Sequence, residues 1–116
     1  MVQKIDLEGR VCVVTGASGE LGRVISRTLG EAGAAVALHY FNGEERAKAL
    51  LEEFESGGVS AMTVQADVTE MESVDSMREA IETELGFVDI IVDNAVIQYD
   101  WKPVLEQSLE DFESQF

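Results

Sequence analysis

Three glycines at the spacing G-x-x-G-x-x-G follow the first apolar stretch of the chain. Gly16, Gly19 and Gly22 lie directly after residues 11–15, which read VCVVT. Glycine lets a phosphate approach the backbone, and the free N–H groups at the start of a helix bind anions. The pattern therefore predicts a pyrophosphate site, although the same glycines also suit a plain turn with close helix–strand packing.

A dinucleotide site usually has an acidic residue about 20 positions further on, which binds the ribose hydroxyls of NAD. The corresponding positions hold His39, Tyr40, Phe41 and Asn42, without a carboxylate. This counts against a strict NAD preference and leaves room for the 2′-phosphate of NADP, although we expect no neighbouring arginine or lysine to bind that phosphate. His39, the single histidine, is expected to be a strand-end residue rather than a catalyst.

The elements that position these residues follow from the apolar pattern. Continuous apolar runs predict four buried strands, and helical spacing predicts a helix after each of the first three; the strands are expected at 11–15, 34–40, 61–66 and 88–92. Strands and helices that alternate with short connections predict an α/β fold, a Rossmann-type parallel sheet in the order 3-2-1-4 with helices on both faces. Residues 1–116 should form one such half of a doubly wound domain.

The helix ends carry their own signals. Asn42 is expected to begin the second helix, and Thr69-x-x-Glu72 is a capping box for the third. Glycines should end all three helices: Gly30 and Gly33 the first, Gly57-Gly58 the second and Gly86 the third. Ser108 should begin a last helix.

The composition of the chain excludes some classes of binding partner. The net charge of −15 repels nucleic-acid phosphates, so we exclude nucleic acid. No apolar run is long enough to span a membrane, and the single cysteine, Cys12, cannot form an internal disulfide. We expect a cytoplasmic protein without a metal site.

Two further groups of residues follow later strands. Asp67 comes after the third strand and Asn94-Ala95 after the fourth. The carboxyl ends of parallel strands meet at one edge of a sheet, where ligands of doubly wound folds bind. The glycine loop, the end of the second strand, Asp67 and Asn94 should therefore share one site.

With these motifs the sequence resembles the N-terminal half of the short-chain dehydrogenase/reductase family, from about residue 7 to the end. The loop TGASGELG, the pair Asp67-Val68 and the quartet Asp93-Asn94-Ala95-Val96 carry the resemblance. It implies an NADP site, with NAD as the alternative, formed by Gly16, Ser18, Gly19, Glu20, Leu21, Gly22, Tyr40, Phe41, Asn42, Asp67, Val68, Asn94, Ala95 and Val96.

Three residues depart from the family pattern. Glu20 stands where most members have glycine, Asp93 replaces an asparagine and Val96 a glycine. A carboxylate beside the pyrophosphate, a buried charge at Asp93 and added bulk at Val96 would each weaken cofactor binding.

The catalytic serine and Tyr-x-x-x-Lys of the family have no counterpart in these 116 residues. Four positions after Tyr40 and Tyr99 stand Glu44 and Pro103 instead of lysine. The sequence as given is therefore expected to bind a cofactor without catalysing hydride transfer.

Two alternatives stay open. A truncated or engineered half-domain would self-associate as a homodimer through the apolar edge of its fourth strand and its terminal helix. The loop spacing alone also fits an epimerase of the extended branch of the family.

Overall fold

The computed structural model describes residues 4–95 and 108–110. Four parallel strands form one sheet in the order β3-β2-β1-β4, as the sequence predicted. The strands are β1 (Val11–Val14), β2 (Ala35–Tyr40), β3 (Ala61–Gln65) and β4 (Ile90–Val92). The helices are α1 (Glu20–Glu31), α2 (Glu44–Ser56) and α3 (Met71–Glu84), so each of the first three strands is followed by a helix.

Helices cover both faces of the sheet. Cys12 and Val14 of β1 point to one face and pack in a core that includes Phe54 of α2. Val11 and Val13 point to the other face, which Ile81 of α3 covers. A strand buried on both faces must be apolar throughout, which explains the unbroken VCVV run.

Glycines end the three helices, as predicted, except that Gly30 lies within α1 and does not end it. Gly33, Gly58 and Gly86 follow α1, α2 and α3 with φ of 102°, 75° and 113°. Because a left-handed residue closes a helix with little strain only when it is glycine, these positions fix where the helices stop.

The predicted helix starts were wrong at α2 and α3. Gly43, not Asn42, is the N-cap of α2, with left-handed φ of 83°. Glu70 precedes α3 and no side chain caps this helix, so the capping box of Thr69 and Glu72 does not form. The hydroxyl of Thr69 instead donates to the Asp67 carboxylate, at 2.6 Å, and the Thr69 amide donates to the same oxygen, so Thr69 belongs to the turn after β3 rather than to the start of α3.

The fourth strand is shorter than predicted at its start. The amide of Val11 donates to the Asp89 carboxylate at 2.9 Å, and the Asp89 amide donates to the Val11 carbonyl at 2.9 Å. A side chain thus takes a place that a strand carbonyl would hold, and regular pairing begins only at Ile90.

A last helix was expected to begin at Ser108, and most of this segment lies outside the described residues. Within residues 108–110, Leu109 and Glu110 are helical. None of the helices in 4–95 and 108–110 is both long and apolar enough to cross a membrane.

Candidate functional site at the carboxyl edge of the sheet

The carboxyl edge brings most of the predicted site residues together around one cleft of about 730 Å³. Its lining includes the predicted residues Gly16, Ser18, Gly19, Glu20, Leu21, Gly22, Tyr40, Phe41, Asn42, Asn94 and Ala95. Asp67 and Val68 are not part of this lining, and Val96 lies outside the described residues. The shared cleft follows from parallel pairing, which places the loops after β1, β2 and β4 side by side.

The strand side of the glycine loop is held by its neighbours. The amide of Gly16 donates to Nδ1 of His39 at 3.1 Å, and the amide of Ala17 donates to the His39 carbonyl at 2.9 Å. Gly16 has φ of 64°, and a Cβ there would lie 3.2 Å from Cα of Ala95. Glycine is therefore required at this position for both its backbone angle and the close approach of the loop after β4.

The hydroxyl of Thr15 joins this loop to the residues after β4. It accepts hydrogen bonds from the amides of Asn94 at 2.8 Å and Ala95 at 2.9 Å. The Asp93 carboxylate lies 3.2 Å away and the Val92 carbonyl 3.4 Å away, and either accepts the hydroxyl proton. One buried side chain thus sets the position of the segment that borders the cleft.

The other two glycines of the loop differ in what the fold requires of them. A Cβ on Gly22 would lie 2.1 Å from the Gly16 carbonyl oxygen, so no other residue fits. Gly19 has φ of −76° and ψ of 175°, and its Cβ would meet only the Gly16 oxygen, at 3.5 Å. The fold therefore has room for a side chain at Gly19. The absence of a side chain there matters for a ligand that approaches the loop from the cleft.

Several backbone donors at the start of α1 have no acceptor in the part of the chain that the structure describes. They are the N–H groups of Ser18, Glu20, Leu21 and Gly22. They stand at the N-terminal, electropositive end of the helix, and no side chain caps it. Free amides at a helix N-terminus form an anion site.

The Glu20 carboxylate is turned towards α1 itself. It accepts a hydrogen bond from Arg23 at 2.7 Å, and the Glu20 side chain is 89% exposed. The pairing offsets its negative charge beside the anion site, and solvent screens what is left.

Arg46 lies beside the same cleft, although we assigned no basic residue to this place from the sequence. Its Nη2 is 3.0 Å from where a Cβ of Gly43 would be, so the guanidinium folds back over the turn after β2. No carboxylate of the described residues pairs with it, whereas each of the other four arginines is paired: Arg10, Arg23, Arg27 and Arg78. In a chain of net charge −15, an unpaired guanidinium at the cleft is free to bind an anionic ligand.

Asp67 forms a turn of its own after β3. Its Oδ1 accepts from the amide and the hydroxyl of Thr69, and its amide donates to the Ser73 hydroxyl at 2.8 Å. These bonds from Thr69 lower the pKa of the Asp67 carboxyl, so that it is a carboxylate at neutral pH. The carboxylate has a second oxygen with which to accept a hydrogen bond from a ligand.

The residues after β4 correct one prediction. Asp93 is exposed rather than buried, since β4 is the edge strand of the sheet and, within residues 4–95 and 108–110, the Thr15 hydroxyl is the one group that donates to its carboxylate. Asn94 donates from Nδ2 to the Gly16 carbonyl at 3.3 Å and so ties its loop to the glycine loop.

Thr15, His39 and Arg46 are the site residues that sequence reasoning missed. Thr15 ends the first apolar run and His39 is a polar residue within the second. Arg46 stands one helical turn after Asn42, which places it on the first turn of α2. Position at a strand end was thus a usable signal for Thr15, whereas the contacts of His39 and Arg46 required the structure.

The sequence also matches known proteins. Residues 10–116 match the family described as short chain dehydrogenase. The versicolorin reductase of Emericella nidulans is 36% identical over 91 residues, which are 78% of this chain and 34% of that protein.

Two solved structures share the fold over nearly the whole chain. A dehydrogenase/reductase from Sinorhizobium meliloti superposes with a TM-score of 0.83 at 36% identity, over 95% of this chain and 43% of that one. A gluconate 5-dehydrogenase from Burkholderia cenocepacia, in complex with NADP and tartrate, superposes with a TM-score of 0.79 at 32% identity, over 97% of this chain and 43% of that one. The chain thus spans less than half the length of each of these proteins.

Proposed function

Because the chain belongs to the short chain dehydrogenase family, we propose that its carboxyl edge binds a nicotinamide dinucleotide, with NADP preferred to NAD. The observation that carries this proposal is the set of amides without acceptors at the start of α1, which open into the 730 Å³ cleft. The NADP bound to the gluconate 5-dehydrogenase of the same fold supports the same cofactor class here.

The pyrophosphate fits at the loop between Ser18 and Gly22. Four amides point from this loop without acceptors, and the absence of a side chain at Gly19 lets an oxyanion approach the backbone. Glu20 turns its carboxylate to Arg23, so its repulsion of the pyrophosphate is small.

The 2′-phosphate of NADP fits beside Arg46. The end of β2 offers Asn42 and no carboxylate, and a ribose hydroxyl pair therefore lacks the acidic partner that NAD-binding sites provide. A guanidinium without a carboxylate partner forms strong paired hydrogen bonds to a phosphate. The segment between the end of β2 and the first turn of α2 thus favours NADP over NAD.

The remaining predicted residues fit the two ends of the cofactor. Asp67 and Val68 lie outside the lining of the cleft, and Val68 lines the cavity between β4 and α3. As the resemblance implies, the Asp67 carboxylate would accept a hydrogen bond from the amino group of adenine, with Val68 next to it in the chain. Asn94, Ala95 and Val96 follow β4, on the side where the resemblance places the nicotinamide ribose. Asn94 already bonds the glycine loop, so this border of the cleft exists before a ligand binds.

A titration of NADPH and NADH by calorimetry tests the proposal, with Arg46→Gln and the control Lys48→Gln on the same helix. Lys48 is paired with Glu44, at 2.9 Å, so its loss should leave the cofactor preference unchanged. The wild-type chain and Lys48→Gln should prefer NADPH, and Arg46→Gln should lose about tenfold or more in NADPH affinity with NADH affinity unchanged. Absence of saturable binding at millimolar cofactor would refute the proposal.

We further propose that the residues for proton transfer lie outside this sequence. Neither Tyr40 nor Tyr99 is followed by lysine four positions on, so the Tyr-x-x-x-Lys pattern that the resemblance implies for proton transfer does not occur in these residues. Bound NADPH should therefore keep its absorbance when ketones and aldehydes are added. Oxidation of the cofactor at a rate proportional to the protein concentration would contradict this.

A second candidate function is self-association through β4. Ile91 is 69% exposed and Phe87 80%, and both line an apolar cavity of about 390 Å³ between β4 and α3. An exposed apolar edge strand pairs readily with a second copy. Light scattering after size exclusion should show a dimer that Ile91→Lys converts to a monomer; a monomer at every concentration of the wild-type chain would exclude it.

A further inference from the structure

His39 joins the glycine loop to β3 through both nitrogens of its ring. The side chain is 1% exposed, its Nδ1 lies 3.1 Å from the amide nitrogen of Gly16, and its Nε2 lies 2.8 Å from the Ala66 carbonyl oxygen. An amide can only donate and a carbonyl can only accept, so Nδ1 is unprotonated and Nε2 carries the hydrogen. The contacts therefore select one neutral tautomer.

The effect of this bridge passes from Gly16 to the free amides of the loop. The Gly16 carbonyl accepts from the amide of Gly19, at 3.2 Å, and Gly19 is the N-cap of α1. The ring bond fixes the Gly16 amide on one side of its Cα, and the Ala17 amide, which donates to the His39 carbonyl, helps to hold the Gly16 carbonyl on the other side. The backbone position of Gly16 thus sets where α1 begins, and with it the direction of the N–H groups of Glu20, Leu21 and Gly22. The other ring nitrogen holds Ala66, whose neighbour Asp67 forms the turn after β3.

We propose that His39 is a positioning residue for cofactor binding, which holds Gly16 through Nδ1 so that the loop presents its free amides to the cleft. The proposal rests on the dinucleotide function above. Only the Nδ1 half of the bridge reaches the loop, and the Nε2 half secures β3. The two halves are therefore expected to differ in their effect on binding, although each is one buried hydrogen bond.

Two substitutions separate the halves. In His39→Asn the side-chain oxygen takes the place of Nδ1 and still accepts from Gly16, whereas in His39→Gln the side-chain nitrogen takes the place of Nε2 and still donates to Ala66. Each variant loses one of the two bonds, so their unfolding midpoints should fall by similar amounts. NADPH affinity should stay within about twofold of wild type in His39→Asn and fall about tenfold in His39→Gln.

Nitrogen chemical shifts of His39 in the ligand-free chain test the bridge without any cofactor. They should show the form protonated on Nε2, and the amide shift of Gly16 should move more in His39→Gln than in His39→Asn. The opposite tautomer, or equal NADPH affinities in two folded variants, would overturn the proposal while wild-type binding still upholds the proposed function. If wild-type protein binds no NADPH, the dinucleotide function and the role of His39 in it both fail, and the nitrogen shifts still decide whether the bridge exists.

Discussion

Both edges of the sheet are rich in glycine, but the glycines of the amino edge follow helices, whereas those of the loop at the carboxyl edge lie at the start of a helix. At the amino edge, Gly33, Gly58 and Gly86 end helices and have positive φ. Their amides are already used, since each donates to a carbonyl of the helix that it follows. At the carboxyl edge Gly16 and Gly19 precede α1 and Gly22 lies in its first turn. There the amides of Ser18, Glu20, Leu21 and Gly22 have no acceptors among the described residues.

The comparison shows that the helix end, rather than the number of glycines, makes an anion site. A cavity of about 330 Å³ also lies at the amino edge and includes Gly33 and Gly58 in its lining. The helix ends there are C-terminal and electronegative, which disfavours phosphate. The larger cleft of the carboxyl edge faces an N-terminal end, which attracts it.

Gly22→Ala should have the largest effect on stability, because its methyl group would overlap the Gly16 carbonyl and move the backbone of the loop. We expect a loss of about 3 kcal/mol or more in the free energy of unfolding, measured by urea denaturation. A midpoint like that of the wild-type chain would mean that the close approach of α1 to the loop is not required.

Thr15→Val should come next, since it removes the acceptor of the Asn94 and Ala95 amides and keeps the shape of the side chain. A loss of about 2 kcal/mol is expected, because two partly buried donors lose their partner. Thr15→Ser is the control: it keeps the hydroxyl and should recover most of the lost stability. No loss in Thr15→Val together with a loss in Thr15→Ser would show that the methyl group, not the hydroxyl, matters.

The two substitutions with the smallest expected effects on stability, one at each edge of the sheet, compare the roles of the edges directly. Gly58→Ala places a methyl group in open space at φ of 75°, so it should cost about 1 kcal/mol of stability and leave NADPH affinity unchanged. Gly19→Ala should change the free energy of unfolding by less than about 0.5 kcal/mol. Its methyl group obstructs the pyrophosphate, however, and NADPH affinity should fall about tenfold. Equal NADPH affinities in the two variants would remove the distinction between the edges.

Most of the fold could be predicted from the sequence, because strands buried on both faces must be continuously apolar and glycine must follow each helix. Val11–Val14 and Gly58 are examples where the residue type leaves one structural role. The start of α3 could not be predicted in this way. Thr69 has the right spacing to Glu72 for a capping box, but its amide and its hydroxyl both donate to Asp67, and sequence spacing does not show which of two local motifs a residue joins.

The sequence predicted which edge of the sheet carries the site, but not the contacts that the site residues make. The loop, Asn42 and Asn94 were assigned to the correct cleft from the parallel topology. His39 and Arg46 required the structure, because the first acts through a ring buried between strands and the second reaches the cleft from α2.

Amide chemical shifts of the labelled chain during a titration with NADPH test the central claim most directly. We expect saturable changes at residues 16–22 and 40–46, together with Asp67 and Asn94, and none at Gly33, Gly58 or Gly86. Changes confined to the amino edge, or none at millimolar NADPH, would contradict the assignment of the dinucleotide site to the start of α1.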